Sequence, residues 1–148
     1  MRRIRILAIA AVCSTSVALG VAPAGAPVAV AVAASCTSQH NSVYVELSRT
    51  KYPLTIDHIE DAQAGGQPAL LHVDRENADL HRDQSLEGWP TKDGYDRDEY
   101  PPAMSREGGY GADIRYVPFS DNRGAGSSMG AQLSGWCEDQ PFRFTFVP

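Results

Sequence analysis

The cysteines are the sequence feature that most restricts how this chain can fold. Cys13 lies in an apolar N-terminal run that we predict to be removed, which leaves Cys36 and Cys137 near the two ends of the remaining chain. Exported chains with two cysteines most often pair them. No Cys/His ligand spacing accompanies them, which disfavours a metal pair. We therefore predict a Cys36–Cys137 disulfide, whose loop of about 100 residues is worth roughly 4–5 kcal/mol in the chain-entropy model.

Residues 1–34 have the pattern of a secretory signal peptide. Three arginines open the chain, an Ala/Val-rich run follows, and no acid or lysine occurs before Cys36. Glycines and prolines between positions 20 and 27 interrupt this run, which disfavours a membrane anchor. Small residues at Ala33 and Ala34 favour cleavage there, so we predict a secreted domain at 35–148 with no membrane contact. The alternative is lipidation at Cys36, for which Ala33 departs from the branched residue of a lipoprotein box.

The secreted domain is acidic. The signal holds three of the 13 basic residues and none of the 18 acids, so the mature net charge is 10 minus 18, or −8. This charge suits solubility outside a cell and does not by itself suggest a polyanion partner. A mature length of about 114 residues fits one domain.

Strand and helix patterns along the mature chain are short and mixed. Alternating or continuous apolar residues predict strands at Ser42–Ser48, Ala69–Asp74 (a central strand), Ala112–Phe119 and Phe142–Val147. Helical patterns occupy Tyr52–Gly66 and Arg75–Leu86, and Asp121–Gly135 is predicted to start as a glycine-rich loop that becomes a short helix. The predicted class is α+β with a small, mostly antiparallel sheet.

Four consecutive charged residues, Asp96, Arg97, Asp98 and Glu99, form the densest acidic stretch and precede Tyr100-Pro101-Pro102. Carboxylates held close together repel each other unless a cation lies among them. Carboxylate and amide oxygens are the ligands that Mg²⁺, Mn²⁺ and Ca²⁺ prefer, and the arginine fork suits an anionic group such as phosphate. The stretch therefore indicates either a metal site or, as the alternative, a solvated charged turn.

Longer motifs surround this stretch. They are Gly94–Pro101, Ala103-Met104, Glu107–Gly109 and Asp121–Ser127, preceded by Tyr52–Ala62 and by Arg75–Pro101. Together they resemble the secreted bacterial deoxyribonucleases of the NucA/NucB type over nearly the whole mature chain. The resemblance implies metal-dependent, sequence-tolerant cleavage of DNA on a ββα-metal nuclease core, two strands and a helix around one divalent ion. It favours Mg²⁺ or Mn²⁺, with Ca²⁺ as the alternative.

The resemblance also implies roles for the charged stretch. Relatives with the ββα-metal core carry Asp-Arg-Gly-His, in which the histidine is the base, whereas this chain has no histidine in the corresponding run. A carboxylate must then take the base role, either Asp98 or Glu99, and we favour Asp98. Arg97 completes the expected catalytic set. The expected metal ligands are Asn122, Glu99 and Asp96.

Other expected roles each have a structural alternative. Arg123 and Gln132 are expected to bind substrate; the alternative for Arg123 is a surface ion pair. Asn122 and Asp121 would also serve well as an N-cap of the last helix. The family usually has Asn-Gln where Ala131-Gln132 stands. The four histidines show no metal spacing, and we interpret His58 as structural.

These expectations describe a secreted monomer with a DNA substrate and no stable protein partner. Because DNA binding is driven by Lys and Arg, the basic residues of an acidic chain would have to gather on one face. The alternative function is a non-catalytic extracellular module on the same fold that binds Ca²⁺ or DNA.

Overall fold

The computed structural model describes residues 35–148, so the predicted signal peptide lies outside the described residues. Its elements, in chain order, are β1 Val43–Ser48, α1 Pro53–Ala64, β2 Leu71–His72, α2 Ala78–Ser85, β3 Tyr95–Tyr100, β4 Asp113–Pro118, α3 Phe119–Leu133 and β5 Pro141–Val147. The α+β class is confirmed. Among these residues no helix has both the length and the apolar character needed to cross a bilayer.

The strands form two small sheets. One has the order β1-β5-β2, and the other is the β3-β4 hairpin. Two of the three strand pairings are antiparallel, as predicted, but β1 runs parallel to β5, so the larger sheet is mixed. The central strand is the C-terminal β5. The prediction of a central strand at Ala69–Asp74 is wrong, because that run pairs with β5 only through Leu71 and His72 and forms an edge.

The predicted disulfide between Cys36 and Cys137 is confirmed. The Cα atoms of the two cysteines lie 5.0 Å apart. Backbone hydrogen bonds on either side continue the pairing: Thr37 N donates to the Gly135 carbonyl at 2.8 Å, and Cys137 N donates to the Thr37 carbonyl at 2.9 Å. The start of the domain is therefore held against the segment that leads into β5.

The hydrophobic core lies between the β1-β5-β2 sheet and helices α1 and α3. Leu47, Leu71, Leu133 and Phe142 are all essentially inaccessible to water. Helix α1 turns one face toward this core and buries Thr55, Ile56, His58, Ile59 and Ala62. His58 is the ionisable member of that face, and it has no exposed surface at all.

The run β3-β4-α3 places a hairpin directly before a helix, which is the ββα order expected from the resemblance. Helix α3 begins at Phe119, immediately after Pro118. The prediction of a glycine-rich loop at the start of Asp121–Gly135 is therefore wrong. The glycines lie inside the helix, where packing outweighs their poor helix propensity of about 0.5–1 kcal/mol each.

Gly124 shows what the packing requires. A Cβ added at Gly124 would lie 2.5 Å from Cε1 of Tyr52, the residue that precedes α1, whereas a Cβ at Gly130 would meet nothing within 4 Å. The absence of a side chain at Gly124 lets α3 approach Tyr52 closely. Gly130, on the same helix, has no neighbour that an added Cβ would contact.

Gly130→Ala is expected to raise the free energy of unfolding by about 0.5–1 kcal/mol, because alanine favours the helix. Gly124→Ala gains the same propensity but overpacks Tyr52, so its free energy of unfolding should lie about 1–3 kcal/mol below that of Gly130→Ala. Urea unfolding of both variants measures the difference. Equal stabilities would show that the Tyr52 ring moves aside without cost.

Candidate active site

A cleft of about 690 Å³ runs along β3 and extends along α3 from Phe119 to Met129. Four acidic residues line it, namely Asp93, Asp96, Asp98 and Glu99. Four basic residues line it as well, namely Arg82, Lys92, Arg97 and Arg123. The cleft is thus balanced in formal charge although the whole chain is acidic, and this eases the conflict between the net charge and a polyanionic ligand.

The acids of β3 do not crowd one another. Successive side chains of a strand point to opposite faces, so Asp96 and Asp98 share one face and Arg97 and Glu99 the other. Each carboxylate has its own partner in the protein, described below. Protein donors therefore relieve part of their mutual repulsion, and the metal ion expected among them stays a prediction.

Asp98 is bound to a buried histidine. Its Oδ2 lies 2.7 Å from Nδ1 of His58, and Nε2 of the same ring lies 2.8 Å from Oδ1 of Asp113. The side chains of His58, Asp98 and Asp113 are 0%, 12% and 48% exposed, respectively. Helix α1 thus sends one imidazole between a carboxylate of β3 and a carboxylate of β4.

The surroundings of Asp98 favour the protonated form of its carboxyl, compared with an ordinary aspartate. Burial raises the pKa of the Asp98 carboxyl, and the hydrogen bond from His58 opposes that rise only in part. A carboxyl with a higher pKa holds a proton more readily once it has accepted one. Asp98 lines the cleft, where a water molecule can reach it.

Glu99 is held on the opposite face of β3. The Oγ atom of Ser85 donates a hydrogen bond of 2.6 Å to Oε2 of Glu99, and Nε of Arg82 lies 3.7 Å from Oε1. Burial also raises the pKa of Glu99. Arg97 follows the same face, and its Nη1 donates to the Trp89 carbonyl at 2.7 Å.

Asp96 and Arg123 form a two-point ion pair. Nε of Arg123 donates to Oδ2 of Asp96 at 2.8 Å, and Nη2 donates to Oδ1 at 2.9 Å. The guanidinium also lies 4.1 Å from the ring centroid of Phe119. Both oxygens of Asp96 are therefore engaged by an arginine, which argues against the metal-ligand role expected for Asp96. Arg123 keeps Nη1 for another anion, and it has the ion pair that was its structural alternative.

Asp121 and Asn122 are neighbours in the first turn of α3, and their side chains lie in different surroundings that the sequence did not distinguish. Asp121 turns inward and caps helix α1, accepting hydrogen bonds from Leu54 N and Thr55 N, both at 3.0 Å, and from Thr55 Oγ1 at 2.7 Å. Asn122 lines the cleft. Neither side chain caps α3, whose N-cap position is occupied by Pro118 without a side-chain hydrogen bond. The N-cap alternative is therefore wrong for both residues.

Gln132 is not brought to the cleft. Its amide exchanges two hydrogen bonds of 2.9 Å with the backbone of Glu46 in β1, as donor to the carbonyl and as acceptor from the N–H. It also donates to Ser128 Oγ at 3.1 Å. Gln132 joins α3 to the edge of the larger sheet, and its position does not support the expected contact with substrate.

The donor set of the cleft fits a hydrated hard cation. Residues 35–148 contain no group of three or more His, Cys, Asp or Glu side chains arranged as a metal cage. Mg²⁺ does not require one, because it keeps several waters and takes only one or two carboxylates. Glu99 and Asn122 both line the cleft and supply the oxygen donors that such an ion prefers.

The contact of His58 with Asp98 is the feature near the cleft that the sequence did not predict. His58 was interpreted as structural because no second histidine or cysteine stood at a metal spacing. A signal was nevertheless present: His58 stands between Ile56 and Ile59 on the apolar face of a predicted helix. A buried imidazole needs partners for both ring nitrogens, and acidic partners elsewhere in the chain were available.

Asp121→Ala is expected to lower the free energy of unfolding by about 1–3 kcal/mol, because it leaves the N-terminal donors of α1 without an acceptor. Asn122→Ala, one residue along, should change it by no more than about 0.5 kcal/mol, since Asn122 faces the cleft. Urea unfolding compares the two. Equal losses in both variants would contradict the division of roles between them.

Comparison with known proteins points to one family. The model of the family described as Deoxyribonuclease NucA/NucB matches residues 63–143, more than half of the 148 residues. The chain is 45% identical over 95 residues to the DNA-entry nuclease of Bacillus subtilis (strain 168). That alignment covers 64% of this chain and 65% of the relative. The family match includes β3, β4 and α3, which build the cleft.

Proposed function

This chain belongs to the NucA/NucB deoxyribonuclease family, and we propose that it is a secreted, metal-dependent endonuclease that hydrolyses DNA phosphodiester bonds without sequence preference. The observation that carries the proposal is the cleft along β3. It combines a largely buried carboxylate, Asp98, with four basic side chains in an otherwise acidic domain. Hydrolysis of a phosphodiester needs a base for the attacking water and positive charge near the phosphate.

Asp98 is proposed as the general base. Its Oδ2 is occupied by His58, so Oδ1 is the atom left to accept a proton from a water in the cleft. The raised pKa of Asp98 supports this role, because an ordinary aspartate is too weak a base near neutral pH. Base catalysis by a positioned side chain typically contributes about 10²–10⁴ in rate.

Glu99 and Asn122 are proposed to hold the divalent ion, Mg²⁺ or Mn²⁺, with Ca²⁺ as the alternative. When bound, such an ion supplies positive charge for the phosphate oxygens and the leaving oxygen. The Ser85 hydroxyl binds Oε2 of Glu99, and Oε1, which lies 3.7 Å from Nε of Arg82, is the oxygen proposed to ligate the ion. Asp96, whose two oxygens are taken by Arg123, is proposed to position that arginine instead of binding the ion.

Arg123 and Arg97 are proposed to contact the phosphate groups. Arg123 is already oriented by Asp96 and has its side chain 65% exposed, so a phosphate can approach it without displacing the pair. Arg97 is anchored at one nitrogen by the Trp89 carbonyl and has further donors for an anion. Lys92 and Arg82 line the same cleft and extend the positive charge. Such contacts to phosphate carry no sequence information, which fits cleavage without sequence preference.

The setting of this activity is proposed to be outside the cell. The Cys36–Cys137 disulfide fits an oxidising compartment, in which such bonds form and persist. The substrate is proposed to be DNA, acted on by a monomer without a stable protein partner.

Purified residues 35–148 are expected to cut plasmid DNA in the presence of Mg²⁺ or Mn²⁺ and to stop when EDTA is added. Asp98→Asn, which keeps the shape and removes the charge, should lower kcat by about 10²–10⁴ because the base is lost. Its melting temperature should stay near that of the wild type, since the asparagine oxygen can still accept the hydrogen bond from His58. Plasmid relaxation and thermal unfolding provide the two measurements.

Glu99→Gln is the matched control for this test. As a weakened ligand it should need more metal ion for half-maximal activity and recover part of its rate at high metal concentration. A fully active Asp98→Asn beside a dead Glu99→Gln would reverse the two roles. Full activity in both variants, or Ca²⁺-dependent melting without any cleavage, would reject the nuclease proposal in favour of a binding module.

The acid side of the pH profile is expected to report on Asp98. Because its pKa is raised by burial, Asp98 is protonated at a higher pH than an ordinary aspartate, whose pKa is about 3.9. A protonated Asp98 cannot accept a proton, so kcat/KM should fall as the pH is lowered, with a midpoint above about pH 4. Rates at saturating metal ion should show this fall, and Asp98→Asn should lack it. The same fall in the variant would assign it to another group.

A further inference from the structure

Helix α1 brings to Asp98 a histidine that is not among the residues lining the cleft. Nδ1 of His58 lies 2.7 Å from Asp98 Oδ2, and Nε2 lies 2.8 Å from Asp113 Oδ1. Asp98 lies in β3, opposite Arg115, and Asp113 lies in β4, opposite Tyr100. The two carboxylates thus come from different strands of the hairpin. One ring therefore connects α1 to both strands.

Both ring nitrogens have a carboxyl partner in this arrangement. A ring nitrogen that carries a hydrogen donates it to its carboxylate, and a ring nitrogen without one accepts from a protonated carboxyl, so each nitrogen is satisfied within the protein. The ring is completely buried, and no water competes for either hydrogen bond. A flip of the ring about its Cβ–Cγ bond would move both nitrogens away from the two carboxyl groups. The ring is therefore held in one orientation.

We propose that His58, held from behind by Asp113, is the positioning residue that orients the Asp98 carboxylate for proton transfer. The inference rests on the proposed function, in which Asp98 is the base. By binding Oδ2, His58 fixes the side-chain torsions of Asp98 and directs Oδ1 to the attacking water. Asp113 lies at the solvent-exposed end of this chain of hydrogen bonds. It holds the ring of His58 in place, and the ring in turn holds the Asp98 carboxylate.

Fixed orientation matters because hydrolysis requires the base within hydrogen-bond reach of the water. A misplacement of about 1 Å in a catalytic group costs on the order of 10²-fold in rate. Loss of the Nδ1 donor would let the Asp98 carboxylate rotate and would leave its burial uncompensated. The donor at Nε2 acts only indirectly, through the ring.

Two amide substitutions separate the two ring nitrogens. Asparagine places its Nδ2 donor near the position of Nδ1, and glutamine places its Nε2 donor near the position of the ring Nε2. His58→Asn thus keeps the donor to Asp98, and His58→Gln keeps the donor to Asp113. Both variants replace the imidazole by a neutral amide. They therefore have the same charge and differ in which carboxylate keeps its donor.

His58→Gln is expected to lower kcat by about 10²-fold with an unchanged KM, since the base is misplaced but the phosphate contacts remain. His58→Asn is expected to recover at least about tenfold of that loss. Plasmid cleavage at saturating metal ion gives both constants, and urea unfolding gives the stability of each variant. Equal kcat values for the two variants, or losses that follow stability alone, would show that His58 only anchors the fold.

Asp113→Ala provides the second test and stands even when both His58 variants unfold. It removes the support behind the ring at a half-exposed position, and kcat should fall about tenfold at an unchanged KM. Asp61→Ala is the control, because Asp61 is an exposed acid of α1 that pairs with Arg115 of β4 at 3.0 Å. Equal kcat values for Asp113→Ala and Asp61→Ala would overturn the proposal. Absence of cleavage by the wild type would instead reject the proposed function.

Discussion

The attachment of helix α1 to the β3-β4-α3 unit is the interaction on which the rest of the site depends. Four polar connections contribute to it. His58 reaches both strands of the hairpin, and Asp121 of α3 caps the first turn of α1. Asp61 pairs with Arg115 of β4, and Gln63 donates to the hydroxyl of Tyr100 in β3. Apolar contacts of Ile56 and Ile59 fill the space between them. Because the hydrophobic effect has no direction, it cannot set the rotation of one element on another. The directional polar contacts set this rotation, and the geometry of the cleft depends on them.

The chain of side chains Asp98–His58–Asp113, which is buried at its centre, is better explained by geometry than by stability. Removing charges from water costs free energy that their mutual attraction often fails to return, so a buried ion pair is weak evidence for stabilisation. Apolar residues in place of His58 would pack a core at least as well. What they could not do is hold a carboxylate in one orientation beside water. On the proposal made for His58, these three side chains give up stability in exchange for a defined position of Asp98.

Local features of the fold followed from the sequence, and distant pairings did not. The alternation in β1 and β5 and the glycine stop after α1 predicted those elements within a few residues, and the resemblance led to the acids of β3. Parallel pairing of β1 with β5 joins segments about 100 residues apart, for which a periodic pattern contains no information. Asp121 capping another helix, and Gln132 binding a strand instead of the cleft, are contacts of the same long-range kind. The two partners of His58 were not predicted because they lie in other elements.

The bridge between Cys36 and Cys137 has a topological consequence for how the domain responds to proteolysis. Every residue that lines the cleft, from Arg82 to Met129, belongs to the covalent ring that this bond closes. A single cut in an exposed loop would open the ring, yet the two fragments would stay joined and at high effective concentration. The pieces would remain able to keep or regain their packing. One bond can thus make the cleft tolerant of nicking at any point along its own sequence.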